Sequence, residues 1–263
     1  MKIIDCHTHL GGPDFAADAR RLAESVQKAG IEKAMVYADE NGFFGCPSEQ
    51  LLAILKPFKQ FLLPVASVSP LPASRPSLAM VDRWLKGGDI FGLKFYTGYE
   101  HFFPAEQPVR PYLELLVKHD LPAIFHSGDT YSDFKTAKLK YAHSLHIDEL
   151  ATEMPDLKIV IAHLGNPWAM DAAEVSYKNK NVFVDCSGLV CDSVKPEDEA
   201  LLKRLFSDYT TFGGSIDKLL FGTDWDLCGQ KEYVDFINQL PLDDDQKNKV
   251  FYENAQKLFK LKL

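Results

Sequence analysis

Short apolar runs rich in β-branched residues recur along this chain, each followed by a stretch with helical spacing, and that alternation restricts the fold more than any other feature. The runs lie at 3–6, 33–38, 62–68, 92–96, 123–126, 158–163, 182–186 and 219–223. Between them the spacing of apolar positions predicts helices over 15–29, 48–58, 77–85, 111–119, 147–153, 168–178 and 196–206, with two more over 231–239 and 244–258. Such repetition builds a parallel sheet, and eight units close an α/β (β/α)₈ TIM barrel, the fold class expected here. The length of 263 residues suits one domain, 1–263, since barrels of this kind run to roughly 250 residues. A doubly wound open sheet has a similar alternation, but no GxGxxG and no P-loop follows any of the runs. Asp243, Asp244 and Asp245 open the last helix, where carboxylates suit the N-terminus, and this helix is expected to pack across the barrel as a closing element.

Charge narrows the partners. The formal net charge is −8 with no block of Lys or Arg, which argues against nucleic acid and against an anionic membrane surface and leaves a small-molecule substrate as the expectation. Cys6, Cys46, Cys186, Cys191 and Cys228 form an odd, scattered set without the spacing of a zinc ribbon or a disulfide framework, which suits a reducing cytoplasm. The first residues enter a polar motif at once, without the apolar run of a signal peptide, and no stretch approaches membrane-spanning length. A cytoplasmic protein is therefore expected. A homodimer is a common assembly for enzymes of this size, but the sequence itself carries no signal for one.

The chemistry-bearing residues sit where the runs end. The first run leads into Asp5-Cys6-His7-Thr8-His9, and two-residue periodicity puts His7 and His9 on one side of the chain. Three further runs lead into His126, His163 and Asp224. Any one such histidine is most simply a hydrogen-bonded core residue. Several together, at the ends of strands one, five, six and eight of a closed barrel, meet round one axis and form the kind of donor set that holds catalytic zinc while leaving a position for water or substrate.

The motifs Asp5-Cys6-His7-Thr8-His9, Gly92-Leu93-Lys94, Phe125-His126-Ser127-Gly128, Ala162-His163-Leu164-Gly165 and Gly222-Thr223-Asp224-Trp225 resemble the amidohydrolase superfamily. The branch most like it includes the aminocarboxymuconate semialdehyde decarboxylases. The resemblance spans nearly the whole chain and is far more specific for the superfamily than for a substrate. It implies Zn²⁺ held by His7, His9, His126 and Asp224, with Asp224 also accepting a proton and His163 acting as general acid or base. A bound zinc ion lowers the pKa of its water to about 7 and polarises a carbonyl. Asp5 either orients a first-strand histidine through its other ring nitrogen or makes a plain strand-end hydrogen bond. Lys94 has three readings: a carbamate bridging a second metal that His163 would also hold, a cation for a substrate anion, or a packed stem paired with a carboxylate. One metal is preferred.

Tyr96, Tyr99, Tyr131 and Trp225 are expected round the opening, as part of an aromatic substrate pocket or as packing residues. The leading function is hydrolysis of a small amide, ester or lactone by metal-activated water. The alternative is non-oxidative decarboxylation of a small unsaturated or aromatic acid on the same metal. The few arginines, with only Arg110 near an active-face loop, tilt the choice toward hydrolysis, because decarboxylases commonly hold the substrate carboxylate with arginine. A third reading is a barrel that has lost activity and binds a ligand.

Overall fold

A computed structural model describes residues 1–71, 75–191 and 195–262, with the side chains of residues 196 and 197 also outside the description. Eight strands lie in one sheet in sequence order: β1 (Ile4–Thr8), β2 (Lys33–Tyr37), β3 (Leu62–Ser67), β4 (Leu93–Phe95), β5 (Ala123–Phe125), β6 (Ile159–Ile161), β7 (Val182–Asp185) and β8 (Leu219–Leu220). All seven neighbouring pairs are parallel. The two edges meet through Cys6 N–H donating to the Phe221 carbonyl at 2.8 Å and Asp224 N–H donating to the His7 carbonyl at 2.8 Å, which rounds the sheet into a barrel. The expected fold class is the observed one.

Helices cover the outside: α1 (Phe15–Lys28), α2 (Ser48–Leu55), α3 (Leu78–Gly87), α4 (Arg110–His119), α5 (Leu145–Glu153), α6 (Ala169–Lys178), α7 (Pro196–Thr211) and α8 (Gln230–Gln239). Alternation along each strand divides the core in two. Ala34, Val36, Leu62 and Ala66 pack outward against the helices. Met35, Tyr37, Leu63 and Val65 turn inward with Ile4, Ile124, Val160 and Leu220. The C-terminal segment, α9 (Asp244–Asn248) continuing through a π turn into α10 (Asn254–Leu258), brings Ala255, Leu258, Phe259 and Leu261 into this inner cluster. Asp243 starts it with a reciprocal capping box to Gln246.

One cysteine expectation is corrected. Cys191, after β7, and Cys228, after β8, are joined as a disulfide although 37 residues apart, because barrel closure puts those two loops side by side. Cys6, Cys46 and Cys186 are free and buried. Among the described residues no helix is long and apolar enough to cross a membrane.

Candidate active site

The strand ends carry the site. His7 and His9 come from the end of β1, Lys94 from β4, His126 follows β5, His163 follows β6, Asp185 ends β7, and Asp224 lies beyond β8. The pairing of β1 with β2 shifts register between Asp5 and Thr8, an irregularity of the kind that re-aims side chains beside active sites. Cys6 faces the barrel interior. His7, one residue on, also turns inward, its ring centroid 4.3 Å from that of Tyr37 and 5.2 Å from that of His9.

Ligand atoms of His7, His9 and Asp224 all lie within 4.8 Å of one another. His9 Nε2 is 3.3 Å and His7 Nε2 is 3.8 Å from Asp224 Oδ1. His163 stands on the other side of the carboxylate, Nδ1 4.0 Å from Oδ2. His126 lies beside this group but outside it. Its Nε2 donates to the Asp129 carbonyl at 2.9 Å, and its ring packs 5.0 Å from that of His163. Both His163 (φ 59°) and Asp224 (φ 67°) adopt left-handed backbone, at a cost of about 1–3 kcal/mol each for residues other than glycine. Gly188, at φ +75°, backs the pair. A Cβ there would stand 3.1 Å from His163 Nδ1 and 3.2 Å from Asp224 Oδ2.

The residue that orients His7 is Asp185, which the sequence reading did not single out. Asp185 Oδ2 accepts from His7 Nδ1 at 2.9 Å, so the imidazole proton sits on Nδ1 and Nε2 keeps its lone pair. Asp5 does something else: it accepts from the His7 backbone N–H, from Thr223 N–H and Oγ1, and from Gln230 Nε2, tying β1 to the β8 loop. Of its two expected roles, it has the plain strand-end hydrogen bond. A second donor group, His7, His163 and Asp185, is also close enough to hold an ion. The 2.9 Å His7–Asp185 contact is a hydrogen bond, however, which gives that cluster an orienting role.

Burial, with help from the Lys94 charge, pushes the His7 imidazole down to about 3. Burial also lowers His126 and His163. Asp224 is ionised: burial works against its charge, but the His9 hydrogen bond and the nearby His163 and His7 outweigh it. Neutral imidazoles beside a carboxylate are the protonation states a divalent ion requires. His9 Nδ1, moreover, is buried with no hydrogen-bond partner. His7, His9 and Asp224 thus fit a divalent metal.

Lys94 is buried, its Nζ 3.2 Å from His7 Nε2 and 5.1 Å and 5.4 Å from the ring centroids of Tyr37 and Tyr96. Burial lowers its pKa to about 8, against the pull of Asp185, Asp224 and Asp39. It points into a cavity of about 190 Å³ walled by Phe43, Phe44, Tyr96, Tyr99 and Tyr131, with His9, His126, His163 and Asp224 at its base. Three of the four expected aromatics line this cavity. Trp225 does not: it is buried beside it, with the Arg21 guanidinium 5.4 Å from its ring centroid. Phe43 and Phe44 were not foreseen. Asp39, two residues past β2, carries their loop by accepting from the N–H groups of Asn41, Gly42 and Phe44. Arg110 pairs with Glu153 at 2.8 Å and is not part of the lining.

A parallel eight-stranded barrel with histidines and an aspartate converging at its strand ends defines a class of barrel protein that gathers its polar groups at the C-terminal ends of the strands. The chain belongs to the amidohydrolase family, whose model matches residues 4–261. Solved structures of similar fold include an uncharacterised TIM-barrel protein from Bordetella bronchiseptica, 20% identical, TM-score 0.76, with 99% of each chain covered. A probable 2-pyrone-4,6-dicarboxylic acid hydrolase from Acinetobacter baumannii is 14% identical, TM-score 0.73, covering 99% of this chain and 100% of that one. A dihydroxybenzoic acid decarboxylase from Polaromonas, with bound manganese and the inhibitor 2-nitroresorcinol, is 15% identical, TM-score 0.70, covering 98% and 97%. Among curated proteins, human deoxyribonuclease TATDN3 is 30% identical over 74 residues, 28% of this chain. The chain spans about a quarter, 26%, of that relative's length.

Proposed function

We propose that this amidohydrolase-family enzyme carries out metal-dependent, non-oxidative decarboxylation of a small aromatic or unsaturated carboxylic acid. One observation carries the reading: Lys94 is the sole Lys or Arg among the described residues lining a cavity whose walls are otherwise mostly aromatic rings. That pairing suits a planar acid, and a cavity of about 150 Å³ already accepts benzene. The fold likeness to the Polaromonas decarboxylase supports the same choice and reverses the preference drawn from arginine scarcity.

His7, His9 and Asp224 would hold the ion, with the adjacent His126 as a fourth ligand. Zinc is proposed, and manganese is the other candidate. Once bound, the ion supplies a positive charge that anchors the acid and draws electrons from it. Tyr96, Tyr99 and Phe44 position the ring, and Lys94 faces the carboxylate. His163 first takes a proton from solvent and then hands it to the carbon that bears the carboxylate; that C–C bond then breaks, its electron pair returns to the ring, and carbon dioxide leaves. Proton and charge balance, and no oxidant is needed. The −8 charge and small cavity favour a small molecule over nucleic acid.

Hydrolysis is the second reading, favoured by one observation: among the described residues no arginine lines the cavity, and Arg21 at its edge is engaged by Asp18 and Asp226. The test is to load purified protein with zinc or manganese and offer hydroxybenzoates, unsaturated acids, lactones and amides. Carbon dioxide released in step with loss of an acid is the expected result. Turnover of a lactone or amide without carbon dioxide would establish hydrolysis instead, and no bound ion with no turnover would point to a binding barrel.

A further inference from the structure

Beyond the side chains proposed as ligands, β7 and its loop contain a buried chain of hydrogen bonds that runs from Asp185 through Ser187 to His163. Asp185 Oδ1 accepts from the backbone N–H of His163 at 3.1 Å and of Ser187 at 3.0 Å. Backbone amides only donate, so this oxygen is an acceptor, and its partner hydroxyl, Ser187 Oγ at 2.5 Å, must be giving it a proton. A serine hydroxyl has one proton. With that proton spent on Asp185, Ser187 Oγ can only accept from His163 Nδ1, 2.9 Å away. The Ser187 carbonyl, 3.4 Å from the same nitrogen, is also only an acceptor. Asp185 and Ser187 are fully buried, with no solvent to supply another donor.

We infer that Ser187 is a positioning residue that locks His163 in the tautomer protonated at Nδ1, leaving the lone pair of Nε2 as the one proton-accepting atom His163 offers the cavity. Asp185 then serves both imidazoles: Oδ2 fixes His7, and Oδ1, through Ser187, fixes His163. His163 thus begins each cycle as a base and becomes an acid only after taking up a proton at Nε2. This consequence rests on the proposed role of His163 in turnover; the tautomer does not.

The tautomer is readable without substrate. Long-range proton–nitrogen correlation NMR on histidine-¹⁵N-labelled protein, with His163 assigned from the signals lost in His163→Asn, should give an Nδ1–H pattern for His163. In Ser187→Ala the pattern should move toward Nε2–H while the His7 signals hold, since Asp185 still engages that ring. An Nε2–H pattern in the unmodified protein, or a pattern in Ser187→Ala identical to it, overturns the inference. Because the unmodified protein alone decides the first point, misfolding of the variant does not rescue it. An enzyme found inactive on every acid but showing the Nδ1–H pattern would refute only the proposed function.

Discussion

His7 Nδ1 and Asp185 Oδ2 lie 2.9 Å apart, with both side chains fully buried and their residues 178 positions apart in sequence. The hydrogen bond joins the first strand of the barrel to the seventh and turns His7 Nε2 toward His9 and Asp224. Asp185→Asn can present its amide nitrogen to that ring and so disturb the Nδ1–H tautomer. Loss of such an orienting partner costs about 10–100-fold in metal affinity. Competition against a calibrated chelator should show a fall of that size for Asp185→Asn, and an unchanged dissociation constant would remove the residue from the site.

His7→Ala and Asp224→Asn should both lower the metal content of purified protein measured by elemental analysis. His126→Ala should lower it less than His9→Ala, because His126 Nε2 already has the Asp129 carbonyl as a partner. His163→Ala should keep the metal and lose turnover. Loss of half the metal in His163→Ala would instead reveal a second ion.

Glu100 predicts a pH effect on stability. Burial raises its carboxyl to about 7, with the Ser69 and Asn41 hydrogen bonds opposing that rise and Asp39 adding to it, while Arg75 lowers it. Its Oε2 is buried without a hydrogen-bond partner. The folded state therefore holds a proton that the unfolded chain releases in the ordinary carboxylate range. Stability from this group is fully present below that range and falls as pH rises through 7. Glu100→Gln, which keeps an acceptor for Ser69, should raise stability at pH 8 by up to about 2–3 kcal/mol and leave it nearly unchanged at pH 4. Urea melts at the two pH values test this, and an equal effect at both would refute it.

Phe259, only 1% exposed, belongs to the inner cluster with strand residues on both sides of the barrel. Phe259→Ala should cost about 3–5 kcal/mol, typical of a large side chain removed from a packed core. A loss below about 1 kcal/mol by denaturant melt would mean the C-terminal segment contributes little to the barrel.

Much of the fold was legible in the chain because its signal is local. A run such as Ile159-Val160-Ile161 can bury both faces only in a covered parallel sheet, and the helical spacing after each run supplies the cover. The site was legible in part for the same reason: His7, His9, His126, His163 and Asp224 each follow an apolar run. Asp185 ends the run Val182-Phe183-Val184 in the same way, so its signal was present, but a carboxylate beside Cys186 and Ser187 does not look like a ligand until its partners are known. Phe43 and Phe44 carried no signal, since nothing in a loop sequence says that Asp39 will turn its tip toward the cavity.

The sequence by itself determined the alternation of strands and helices, the parallel sheet, and which residue types would stand at the strand ends, because these depend on periodicity and burial over a few residues. Only the tertiary structure decided which of those residues meet. The β1 register shift aims His7 inward, and barrel closure sets Asp185 against it and Cys191 against Cys228. The three-dimensional packing also turns His126 to a carbonyl and leaves Trp225 beside the cavity. Distances between residues more than a hundred positions apart are set by how strands close and loops return, and no local pattern encodes them.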